Sequence, residues 1–95
     1  MKLTIIVYDG FVAVDGVGYS GLDLSFMDST IHAIQFNGTK GWIEYVMNED
    51  GEKPNNQPIV SIDEFQPAID AWNIADQAAK EALLNPATPI IPVGP

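Results

Sequence analysis

Four Asx-Gly pairs punctuate the first 51 residues of the chain: Asp9-Gly10, Asp15-Gly16, Asn37-Gly38 and Asp50-Gly51. Both residue types tolerate the positive φ of a type I′ turn, so such a pair between β-rich runs is the strongest short-range hairpin signal. Residues 3–8 (LTIIVY) are β-branched and aromatic, and residues 11–14 (FVAV) follow Asp9-Gly10 directly. This predicts a tight β-hairpin. Residues 31–36 and 42–46 flank Asn37-Gly38-Thr39-Lys40-Gly41 and predict a second, with Gly41 as the candidate bulge. Neither arm of the second hairpin has a cleanly polar face, so both faces of the sheet are expected to meet protein.

The segment between the hairpins is turn-rich, with Gly16, Gly18 and Gly21. Within it Leu22, Leu24 and Phe26 alternate with Asp23 and Ser25, which fits a short strand or a loop pinned by three apolar anchors. Residues 48–58 read as a polar turn, and Ile59-Val60 as a last short strand.

The period then changes. Ser61-Ile62-Asp63-Glu64 fits a capping box, and Ile62, Phe65, Ile69 and Trp72 follow at spacings of three and four. Pro67 is tolerated only in a first turn. Either a single turn over 62–65 precedes the helix, or the helix begins near Gln66. Extending the apolar spacing lands on Asp76, so a self-pairing coil would carry a charge in its seam. The helix is therefore expected to lie on the sheet through Trp72, while the Ala-rich stretch over 78–84 reaches outwards. Asn85-Pro86 stops it. The expected fold is α+β: a small antiparallel sheet of two hairpins and one C-terminal amphipathic helix, a single domain over 1–85. Residues 86–95 form an extended, uncharged, proline-rich tail that is expected to dock on its own domain or a neighbour.

Charge narrows the function. Four Lys, no Arg and 13 Asp plus Glu give a formal net charge of -9, which repels nucleic acid and anionic membrane surfaces. With no Cys there is no disulfide, thiolate catalysis or Cys-ligated metal. The apolar start is short, lacks a cleavage site and reads as a strand of a cytoplasmic protein rather than a signal peptide.

His32, the one histidine, lies mid-strand with no triad spacing around it and reads as a structural residue with a satisfied hydrogen bond. Asn48, Glu49, Asp50 and Glu52 lack the spacing of a calcium loop, and no Gly-rich phosphate loop is present. Asn37-Gly38-Thr39 matches a glycosylation sequon but, without a secretory signal, reads as a turn. No enzymatic activity, metal or cofactor is expected. The candidate contact residues are the aromatics Trp42, Tyr45 and Trp72 and the tail residues Pro89, Ile90, Ile91, Pro92 and Val93. Ordinary core packing competes as the role of Trp42 and Tyr45.

Residues 15–25 (DGVGYSGLDLS) and 31–45 (IHAIQFNGTKGWIEY) resemble small proteins of tailed bacteriophages encoded near tail and tail-fibre genes, described as tail proteins or tail-assembly chaperones. The pattern runs DG-x-G-x-S-x-LDLS, then IHA-x-QW-x-G-x-x-G-x-IEY, a polar turn and an amphipathic helix. Phe36 stands where that pattern has Trp, and Trp42 where Glu is common. Phe65-Gln66-Pro67 and Asp70-Ala71-Trp72 fit its last element. The resemblance reaches about Trp72 and carries no catalytic residue. It implies a role in the host cytoplasm during assembly and in the virion tail, bound to other tail or tail-fibre proteins and with room for homo-oligomers. Two roles follow from it as expectations, a structural or adaptor tail component and an assembly chaperone absent from the particle; the acidic charge adds a third, an inhibitor of a basic host protein.

Overall fold

A computed structural model describes residues 1–84, in which one antiparallel sheet of six strands carries a single long helix. The α+β class is as expected. The strands are β1 (Leu3–Ile6), β2 (Phe11–Val14), β3 (Val17–Tyr19), β4 (Ile31–Phe36), β5 (Gly41–Tyr45) and β6 (Gln57–Ile59), in the order β3-β2-β1-β4-β5-β6. The sheet has six strands: the two expected hairpins, β1–β2 and β4–β5, join through β1 and β4. At one edge lies β6, over Gln57–Ile59 where a last strand was expected at Ile59-Val60, and at the other lies β3, not expected as a strand. The tail expected over 86–95 lies outside the described residues.

The turns correct the sequence reading in detail. The type I′ geometry falls at Asp15-Gly16, with φ of 50° and 89°, between the paired residues Val14 and Val17. Asp9-Gly10 instead ends a four-residue loop closed by Gly10 N–H donating to the Val7 carbonyl at 3.1 Å, and only Gly10 has positive φ there. Glycine at 10 has a second reason: a Cβ would collide with the backbone of Leu22, whose N–H donates to the Gly10 carbonyl at 2.9 Å. That contact ties the segment after β3 down as a loop rather than a strand. Leu22, Leu24 and Met27 pack on the core, while Phe26 is half exposed. The bulge falls at His32, not Gly41, because Ile31 pairs with Tyr45 and Ala33 with Glu44.

Register sorts the side chains into two faces. One carries the rows Tyr19–Val12–Ile5–Ile34–Ile43–Gln57 and Val17–Val14–Leu3–Phe36–Gly41–Ile59. Its centre is the core, with Leu3, Ile5, Val12 and Ile34 essentially inaccessible to solvent. The opposite face carries Gly18–Ala13–Thr4–Gln35–Trp42–Pro58 and the shorter row Phe11–Ile6–Ala33–Glu44.

Both readings of the helix start hold together: a 3-10 turn at Asp63–Phe65 runs into α1 (Gln66–Leu84), leaving Pro67 in its first turn. The capping box does not form. Ser61 Oγ accepts from Asp63 N–H at 3.1 Å, a tighter local turn than the reciprocal box requires. Phe65, Ala68 and Ile69 enter the core cluster, so α1 covers the first face and packs on β2 and β3. Trp72 Nε1 donates to the Val17 carbonyl at 2.7 Å, and its ring tilts against Tyr19 with centroids 6.0 Å apart. Asp76, which interrupts the apolar spacing, is a latch. It accepts from the Tyr19 hydroxyl at 2.8 Å and pairs with Lys80 at 2.8 Å. Ile74, Leu83 and Leu84 are largely exposed, so the last turns reach outwards as expected.

The latch fixes a pH dependence. Hydrogen bonds from Lys80 and then Tyr19 hold the Asp76 carboxyl below the usual carboxylate range, and the bond to Asp76 raises both Tyr19 and Lys80. A carboxyl depressed in the folded state contributes stability above its unfolded value and loses it as pH falls through the folded value. The raised tyrosine and lysine contribute below their ordinary values and lose that share as pH rises past about 10. We therefore expect Asp76→Asn to lower the melting temperature at neutral pH, with the gap to wild type narrowing as pH falls below the ordinary carboxylate range. A gap that persists in acid would place the effect elsewhere than in the latch.

Candidate binding groove

The helix packs on β2 and β3 and leaves an opening on its own face at the Ile31–Tyr45 end of β4 and β5. The loop residues Phe26–Thr30 bound that opening on one side, and Glu64, Phe65 and Pro67 on the other. Between them lies a groove of about 430 Å³ whose floor is Ile31, Ile43 and Tyr45.

Local bonds set its walls. Asp28 Oδ1 accepts from the Thr30 N–H at 2.8 Å and the Thr30 hydroxyl at 2.7 Å, and the Asp28 carbonyl accepts from Ile31 N–H at 3.1 Å. The Thr30 N–H and hydroxyl hold the Asp28 carboxyl below the usual carboxylate range, so it is ionised at neutral pH. The Tyr45 hydroxyl donates to Gln57 Oε1 at 2.6 Å, which ties β5 to β6. Phe26, half exposed, stands at the lip. The result is a trough of mixed lining, with Phe26, Ile31 and Phe65 beside the polar Asp28, Gln57 and Glu64.

The three aromatics singled out from sequence go to three different places. Tyr45 lines the groove. Trp42, on the same strand but of opposite parity, sits on the other face of the sheet, with Nε1 donating to Glu44 Oε2 at 2.8 Å. Trp72 is taken up by the helix–sheet contact described above. Pro89, Ile90, Ile91, Pro92 and Val93 lie outside the described residues. Sequence reasoning missed Phe26 as a groove residue and Ile31 as its floor. The missing signal is the bulge at His32, which turns Ile31 to the same face as Tyr45.

No matching protein family, curated protein or solved structure was found for the chain. Among the described residues no three His, Asp or Glu side chains come together as a metal site would require. His32 is exposed at the bulge, and among the described residues its ring makes none of the side-chain hydrogen bonds expected for it. Asp50 accepts from Glu52 N–H at 3.1 Å, and Asp23 from Ser25 N–H at 3.0 Å, so these carboxylates brace their own turns. No described helix is long and apolar enough to cross a membrane.

Proposed function

We propose that the chain is a non-enzymatic, protein-binding component of a bacteriophage tail, an adaptor at the tail fibre or baseplate. One observation supports the binding role: a groove of mixed apolar and polar lining lies open beside the helix, with Asp28 and Glu64 in that lining. A trough of this kind suits an apolar segment flanked by Lys or Arg, because the anchor side chain supplies affinity and the charges set the register. The phage assignment rests on the sequence resemblance. On this reading the protein works in the host cytoplasm during assembly and remains in the tail.

Assembly chaperoning uses the same groove and differs only in release before the particle is complete. The acidic-inhibitor reading receives less support. Asp9, Asp15, Asp23, Asp28, Glu49, Asp50 and Glu52 are spread over four separate loops, and the remaining carboxylates lie mostly along the helical segment.

Quantitative mass spectrometry of gradient-purified virions tests the assignment. Presence at a fixed ratio to a tail or fibre protein is the expected result, and abundance in the lysate with absence from particles moves the protein to the chaperone class. Phe26→Asp tests the groove, since its half-exposed position makes a stability change beyond about 0.5 kcal/mol unexpected. Incorporation should drop at least tenfold while the circular dichroism spectrum is unchanged. Normal incorporation of this variant would remove the groove from the binding site.

A further inference from the structure

Taking the groove as the binding site, we propose that its partner is a basic, extended segment whose footprint runs past the groove across one end of the sheet. The antiparallel register brings Ile6, Phe11, Tyr19, Ile31 and Tyr45 to that end. Three connections therefore lie there: residues 7–10, 20–30 and 46–56. They carry Asp9, Asp23, Asp28, Glu49, Asp50 and Glu52 against a single lysine, Lys53. At the opposite end, the start of β1 and the turns over 15–16 and 37–40 carry Lys2 and Lys40 against Asp15. Charge is thus polarised along the strands, and a Lys- or Arg-rich segment is drawn to the end that holds the groove.

Apolar surface gathers at the same end. Tyr8 is 93% exposed, and Phe26, Val46 and Met47 are exposed among the same carboxylates. Exposed apolar groups rimmed by charge mark a contact surface. A second hollow lies over the β1–β2 loop, lined by Tyr8, Asp9, Leu22 and Ser25 among others. Met27 lines both this hollow and the groove, so the two adjoin. Backbone bonds hold the hollow in shape: Leu22 N–H donates to the Gly10 carbonyl at 2.9 Å, and Gly21 N–H to the Asp9 carbonyl at 3.4 Å.

The span suits one extended chain. From β5 to β2 is three strand spacings, about 14 Å, which four or five extended residues cross. An apolar side chain of the partner seats in the groove, and a Lys or Arg beside it faces Asp28. A second Lys or Arg, further along, reaches Asp9, where the exposed Tyr8 ring adds a cation–π surface.

Fluorescence anisotropy of labelled peptides against the full chain tests both the chemistry and the reach. The probe is a peptide of about ten residues with Leu-Phe at its centre and Lys-Arg on each side, long enough to span both hollows. One control carries Glu for every Lys and Arg, and another carries Gly-Ser for Leu-Phe. The probe should bind at least about tenfold tighter than either control. Raising salt from about 0.1 to 1 M, which shortens the Debye length from about 10 to 3 Å, should weaken it about tenfold. The double variant Tyr8→Ala/Asp9→Asn should bind about fivefold more weakly with an unchanged circular dichroism spectrum. Lys40→Gln, more than a Debye length away at the other end, should stay within about twofold of wild type. A probe that binds no tighter than its controls overturns the basic partner and leaves the groove itself to the incorporation of Phe26→Asp. If Phe26→Asp loses the probe while Tyr8→Ala/Asp9→Asn keeps it, the footprint stops at the groove and the extended segment is overturned.

Discussion

Ile5→Ala is expected to remove about 3 kcal/mol of folding stability, while the neighbouring change Ile6→Ala removes under about 1.5 kcal/mol. The two residues are adjacent on β1 and differ only in face. Ile5 pairs with Val12 on one side and Ile34 on the other, in the middle of the helix-covered face, and is fully buried. Ile6 stands on the opposite face between Phe11 and Ala33 and keeps some exposure to solvent. A buried Ile cut to Ala loses transfer energy and leaves a cavity that a central strand cannot close. For a domain of this size, total stability is of the order of 5–10 kcal/mol, so Ile5→Ala removes a large share of it. Urea unfolding reads the difference as a fall in midpoint at constant slope. Equal losses at the two positions would contradict the assignment of the faces.

Trp72 gives the second large effect. Trp72→Ala should cost about 2–3 kcal/mol, toward the lower side of large aromatic truncations because the ring is only partly buried. Trp72→Phe should cost about 1 kcal/mol, the value of an ordinary hydrogen bond, since it keeps most of the packing against Tyr19 and loses the bond to the Val17 carbonyl. The loss is local. In Trp72→Ala, amide exchange should accelerate along α1 and β3 while the amides pairing β1 with β4 stay protected, because those strands meet in the core. Uniform acceleration over the whole sheet would show that helix and sheet unfold as one unit.

Much of this fold was legible in the sequence because its signals are local. The Asx-Gly turns, the shift from strand-like runs to spacings of three and four, and the first-turn position of Pro67 all act within a few residues of themselves. What escaped detection depends on contacts across the sheet. Nothing near His32 marks it as the bulged residue, yet that one extra residue decides that Ile31 joins the groove. Leu22 and Leu24 alternate as a strand would. They form a loop because Leu22 is bound to the backbone of Gly10, twelve residues earlier. Asp76 looked like a flaw in an apolar stripe until Tyr19, fifty-seven residues away, supplied its partner. The choice of contact aromatics failed to resolve one site for the same reason. Residue type is evident from the sequence, but the side of the sheet on which each ring lands is set by register.

The two outer strands set a limit on how this protein can assemble. At one edge β3 is only three residues long, with the Trp72 indole bound at its start, and at the other Pro58 has no N–H to offer. An incoming strand finds the ladder interrupted on either side, so copies cannot zip together edge to edge into an ever-longer ribbon. The chain is thereby steered away from open-ended fibres. Its contacts are confined to faces and grooves, where the number of partners is finite.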